Sequence, residues 1–206
     1  MTSFSNLTLT PVTLTEFVAF WRNLYADEDL VYSEHIHIGG SVLSEDVVAL
    51  MSWKEQSRNL GAREWGAAVP VELFNDARKK GALTDNELRS LFSAIGEALE
   101  AEGLNKTKRL VWRVFLCHIA QPEHIPIYDV NVWLAWGCIE GWLEPEHLKQ
   151  KPIKFDTYLE YRAWFNGLVS SGGVGARNLD RALMSLGQFI QAPIGRQLVL
   201  TGTASA

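Results

Sequence analysis

Apolar residues recur along most of this chain at the three- and four-residue spacing of a single helix face. Thr13-Leu14-Thr15-Glu16 is a capping box, in which a hydroxyl and a carboxylate satisfy the first orphan amides of a helix. The helix it opens carries Phe17, Phe20, Trp21 and Leu24 at helical spacing. Ser44 predicts the cap of a second helix, with Val47, Val48, Leu50 and Met51 as its apolar positions. The stretch 55–80 is less regular. Pro70 suits the first turn of a helix through VELFNDARKK, and Gly81 ends it. Thr84-Asp85-Asn86-Glu87 is another capping box, and the helix after it places Leu88, Leu91, Phe92, Ile95 and Leu99 on one face before Gly103.

From Thr107 to Ala120 the sequence TKRLVWRVFLCHIA is apolar on more than one face, which predicts a helix central to the core. Pro122 and Pro126 predict an extended connector, because proline disfavours helix in the residue before it. Asp129 then stands at the N-cap of a helix reading VNVWLAWGCI, ended near Gly141. Two later helices are expected at 157–170, with Tyr158, Tyr161, Trp164 and Phe165, and at about 176–190. Strand signals are few. HIHIGGSVL at 35–43 alternates briefly, the pattern of a short hairpin, which alone is marginally stable. The expected architecture is all-α: one helical domain over 1–206 in two lobes, roughly 1–103 and 104–192, with a tail at 193–206 and a cleft near 105–131.

Composition narrows the function classes. A formal charge of −5, from 19 basic and 24 acidic residues, argues against a protein that coats nucleic acid without sequence preference. It leaves room for a local basic patch, and KTKR at 106–109 with Arg113 is the densest one. The acidic residues concentrate at 84–102 and 140–146. Eight tryptophans suit core packing or a stacking wall for a flat ligand such as a nucleobase. Cys117 and Cys138 lie in apolar runs and form no C-x-x-C pair, so reduced core thiols are expected. The opening MTSFSNLTLTPV has neither a basic start nor an apolar core, so no signal peptide is expected. No run reaches the ~20 apolar residues of a membrane span, and a cytoplasmic protein is expected.

The segment 104–133, LNKTKRLVWRVFLCHIAQPEHIPIYDVNVW, combines a basic turn, a buried helix, a proline-bounded connector and an aspartate opening a helix. It resembles the aspartate-bearing segment of helix-hairpin-helix DNA glycosylases, including the 8-oxoguanine glycosylases. In that family a hairpin and an apolar helix lead through a P-x-x-x-P-[VI]-D connector to the catalytic aspartate. Here Pro122, Pro126, Ile127 and Asp129 follow in that order, then Val130, Val132 and Trp133, with one extra residue, Tyr128.

The resemblance covers about thirty of the 206 residues. It implies an enzyme of base excision repair that flips a damaged base, an oxidised purine, out of DNA and cleaves its N-glycosidic bond. Asp129 would stabilise the positive charge that builds on the sugar. Its alternative reading is a plain N-cap. The lysine that bifunctional relatives use as an amine nucleophile aligns with Arg109, whose guanidinium stays protonated. Lys108 and Lys106 lie within one turn and are the candidates, Lys108 preferred; a solvated or phosphate-touching lysine is the alternative.

Arg109 and Arg113 are candidate phosphate contacts, and DNA is the implied partner. The family's L-P-G-x-G loop is replaced by GLNKTKR, and its histidine two residues after the aspartate by Asn131, which can still donate a hydrogen bond. Trp133, Trp136 and Phe165 are candidate walls of a base pocket or core residues. Asp180 either contacts a flipped base or caps its helix. The competing reading is a non-catalytic descendant of the fold that binds nucleic acid, a nucleotide or a protein.

Other motifs carry less. His35-x-His37 lacks an evident third ligand, so no metal is expected there, and no cofactor is implied elsewhere. Cys117 and His118 are adjacent on a helix and point about 100° apart, so they do not form a nucleophile and base facing one cleft. SGGVGAR at 171–177 lacks G-K-[ST] and reads as an interhelical turn.

Overall fold

The computed structural model describes residues 13–25, 30–55, 61–104, 110–149 and 154–202. Among these the chain is helical and contains no strand. The helices are α1 (Leu14–Arg22), α2 (Leu30–His35), α3 (Ser44–Glu55), α4 (Ala62–Ala68), α5 (Val71–Lys79), α6 (Asp85–Ala101), α7 (Leu110–Ala120), α8 (Val130–Ile139), α9 (Phe155–Gly172), α10 (Ala176–Gln191) and α11 (Pro193–Gly202). A short 3-10 helix, Pro145–Lys149, follows α8. None of the described helices is long and apolar enough to cross a membrane. The chain forms two compact units, one from 1–26 with 127–206 and the other from 27–126. The division therefore falls at 26 and 126, where a single boundary near 103 was expected.

In the discontinuous unit α10 is the hub, packing on α8, α1, α9 and α11. Leu179, Ala182, Leu183, Leu186 and Ile190 are its buried aliphatic positions. Thr13 and Glu16 form the expected capping box, with the Glu16 amide donating to Thr13 Oγ1 at 3.3 Å and the Thr13 amide donating to Glu16 Oε2 at 2.9 Å. Val18 and Trp21 are the buried residues of α1, and the Trp21 ring meets Phe189 of α10 at 5.7 Å. That contact is why the chain's start belongs with its end. The block expected as a tail is helical over Pro193–Gly202, and 203–206 lie outside the described residues.

In the unit 27–126 the central helix is α7, as its all-round apolar sequence predicts. Every residue from Val114 to Ala120 is buried. His118 is satisfied inside the core: Nε2 lies 2.7 Å from Tyr32 Oη and Nδ1 lies 2.6 Å from the Ile125 carbonyl. A carbonyl only accepts, so Nδ1 carries the proton and the tyrosine hydroxyl donates to Nε2. Burial holds the Cys117 thiol far above its ordinary range, so it stays protonated and is not a thiolate nucleophile. Arg78 of α5 closes the end of α7, donating from Nε to the Ala120 carbonyl and from Nη2 to the Ile119 carbonyl, each at 2.9 Å. Such donors satisfy the last carbonyls of a helix.

The hairpin expected at 35–43 does not form. His35 closes α2, and the chain turns through Gly39 and Gly40 with φ of 77° and 80°. Two successive left-handed residues break the extended alternation that a strand needs. Side chains of the helices hold this loop instead. Asp46 accepts the Leu43 amide at 3.0 Å and His35 Nδ1 at 2.9 Å, and His37 Nε2 lies 3.4 Å away. Both histidines are thus turned onto a buried carboxylate. No group of three metal-ligating side chains occurs among the described residues.

Candidate functional site

Asp129 occupies the N-cap of α8 in extended conformation, with φ −153° and ψ −173°. Its Oδ1 accepts the Asn131 amide at 2.8 Å and the Val132 amide at 3.1 Å. Both bonds fix the orientation of the carboxylate and satisfy two of the orphan amides that open the helix. The proline connector delivers the chain to this point through Ile125, Ile127 and Tyr128, all buried.

Tyr128, the extra residue in the connector, is fully buried. Its ring lies 5.2 Å from Tyr161 and 5.3 Å from Tyr158, both on α9. Trp136 of α8 meets Tyr161 at 5.6 Å. The hydroxyls of Tyr128 and Tyr161, the Trp136 indole N–H and the Ser185 hydroxyl are buried and meet no hydrogen-bond partner among the described residues. Burial is the main force raising both phenols well above their ordinary value. Nearby negative charge adds to it: Glu160 and Asp129 for Tyr128, and Asp180 and Asp129 among others for Tyr161. Both phenols therefore stay neutral donors within the field of Asp129.

The other anticipated residues divide by what they touch. Asn131 is tied between helices, its Oδ1 accepting from Gln191 Nε2 at 2.6 Å and its Nδ2 reaching Met184 Sδ at 3.3 Å. Asp180 is buried one turn into α10, where Arg177 Nη1 donates to its Oδ2. It does not cap that helix, because Gly175 holds the N-cap position. Trp133 is buried against Trp142 at 5.6 Å and His147 at 5.7 Å, and Phe165 is buried beside Tyr161. The turn 173–175 joins α9 to α10, as the SGGVGAR sequence predicts.

Arg113 spends its guanidinium within the other unit. Its Nη2 donates to the Phe92 carbonyl at 2.6 Å, and the group lies 3.8 Å from the Phe92 ring centroid. A Cβ at Gly96 would stand 2.1 Å from Nη2, so this glycine makes the room. Lys106, Lys108 and Arg109 lie outside the described residues.

Sequence reasoning missed Tyr161, and it read Tyr128 only as an insertion in the connector. Tyr158 and Tyr161, three apart on one helix face, were visible as packing positions. No family model, curated protein or solved structure matches the chain.

Proposed function

We propose that the chain is a DNA glycosylase-like protein that removes a damaged base, an oxidised purine, by cleaving its N-glycosidic bond. The observation that carries this reading is the Asp129 carboxylate, fixed by two amides at the start of α8 directly after the proline connector. In this reading the C1′–N bond breaks with its electron pair leaving on the base, and the ionised Asp129 stabilises the cationic sugar. Water then bonds to C1′ and gives up a proton. A lysine amine from 106–108 in place of water would bond to C1′ and lose a proton. The C1′–O4′ bond would then break as the ring opens to a Schiff base, and loss of a C2′ proton would expel the 3′ phosphate by β-elimination.

The test is release of base from a duplex oligonucleotide carrying 8-oxoguanine, compared with Asp129→Asn. Asparagine keeps an oxygen for the two amides and removes only the charge. Base release from the parent chain and its loss in the variant support the reading. Equal release from both removes Asp129 from the chemistry.

A second reading, a non-catalytic protein of the same fold that binds nucleic acid, nucleotide or protein, has its own support. Arg113, Asn131 and Asp180 all spend polar atoms on internal partners, and the net charge is −5. It predicts no release from any lesion, with binding unaffected by Asp129→Asn. Borohydride trapping of a covalent DNA adduct would contradict it.

A further inference from the structure

A pocket of about 380 Å³ lies entirely within the unit 27–126, between the loop 37–41, the last turns of α5 and the turn that follows α7. Its size falls at the lower end of sites that take small molecules, enough for one nucleotide. Gly39 and Gly40 line it, both in the left-handed conformation that glycine adopts without steric cost. Nothing stands within 4 Å of either missing Cβ, so these glycines set the course of the backbone and do not relieve crowding.

The amides along this loop fall into two sets. Val42 donates to Asn75 Oδ1 at 2.8 Å and Leu43 to Asp46 Oδ2 at 3.0 Å. The amides of Gly39, Gly40 and Ser41 donate to no group among the described residues. Successive amides in turn conformation form concavities that accept anions. The loop is also held in place. Arg78 Nη1 donates to the Gly40 carbonyl at 2.9 Å, and Asn75 Nδ2 to the Val42 carbonyl at 3.2 Å.

The charges suit an anion. Arg78 donates to the carbonyls of Gly40, Ile119 and Ala120, so its positive charge is fixed in place, with the Asp46 carboxylate acting on it through space. Lys79 stands at the rim in an exposed pair with Asp76, which water screens. His37, whose Nε2 lies 3.4 Å from Asp46, and His124 also line the pocket, and Glu123 is the single carboxylate among the lining residues.

We propose that this pocket binds a phosphate group carried by a ligand of nucleotide size. The Gly39–Ser41 amides form the cradle, Arg78 the fixed charge and Lys79 the movable one. A free nucleotide and a phosphodiester in a nucleic-acid strand present the same chemistry. The site does not depend on Asp129 or on base release.

The test is nitrogen-15 NMR titration of the full chain with inorganic phosphate, with 5′-dGMP and with a single-stranded oligodeoxynucleotide. Saturable shifts centred on the amides of Gly39, Gly40 and Ser41, weakened by added salt, are expected. Lys79→Gln weakens binding by about fivefold, the upper end for an exposed charge pair. Gly40→Ala, which strains the left-handed turn, abolishes the shifts while the rest of the spectrum stays folded. Tighter binding of 5′-dGMP identifies a free nucleotide as the ligand, and tighter binding of the oligonucleotide identifies a strand. The proposal is overturned by an absence of saturable shifts with all three probes at millimolar concentration, by shifts centred elsewhere, or by affinity unchanged in both variants.

Discussion

Gly187 in α10 lies directly against the backbone carbonyl of Asn131 in α8: a Cβ at Gly187 would stand 2.0 Å from that oxygen. The carbonyl belongs to backbone and cannot swing aside. Both helices meet at the residue whose amide orients Asp129.

Gly187→Ala therefore forces α8 and α10 apart. The expected cost is about 2 kcal/mol, in the range of overpacked cores, despite alanine's better helix propensity. A urea unfolding curve checks this, and an unchanged midpoint would contradict the close approach. Asp129 would lose its alignment in a less stable protein, so any base release should fall along with stability.

Tyr161→Phe separates packing from chemistry. The hydroxyl is buried and meets no partner among the described residues. Its removal should leave stability unchanged or raise it by about 1 kcal/mol. A drop of similar size would mean the hydroxyl holds an internal partner. If the phenol serves the candidate site, base release declines while the melting temperature holds.

The Asp46 carboxyl makes stability fall in acid. Burial pushes its pKa up, but hydrogen bonds from His35 and from the Leu43 amide, with the charge and bond of His37, leave it below the ordinary 3.8. The Asp46 charge in turn favours the protonated Arg78 on α5. A depressed folded pKa means the unfolded chain binds more protons in that window. The stabilisation is present above 3.8 and lost as pH falls through the folded value. Urea midpoints measured from about pH 5 downward should decline, and Asp46→Asn should flatten its share of that decline. An identical slope in the variant would contradict the role given to Asp46.

The elements legible in the sequence are those with a local physical signature. The capping boxes at Thr13 and Thr84, the all-round apolar α7 and the aspartate cap of α8 sit where their residues predicted. What the sequence hid depends on side-chain contacts that hydrophobic spacing does not encode. The alternation at 35–43 looked like strand because Asp46 and Asn75, which bend that segment into a loop, act through tertiary contact. Arg113 looked like surface charge beside KTKR, and only the gap left by Gly96 turns it inward. Helical spacing marked Tyr158 and Tyr161 as buried, but spacing says nothing of where a hydroxyl ends.

The most direct test of the account is the Asp129→Asn comparison on a duplex containing 8-oxoguanine. Folding and the α8 cap should persist, seen as a melting temperature close to that of the parent chain. Base release by the parent chain and a loss of about a hundredfold or more in the variant are expected, as when a positioned charge is removed from a reacting centre. Undiminished release by the variant, or no release by the parent chain from any oxidised purine, would contradict it.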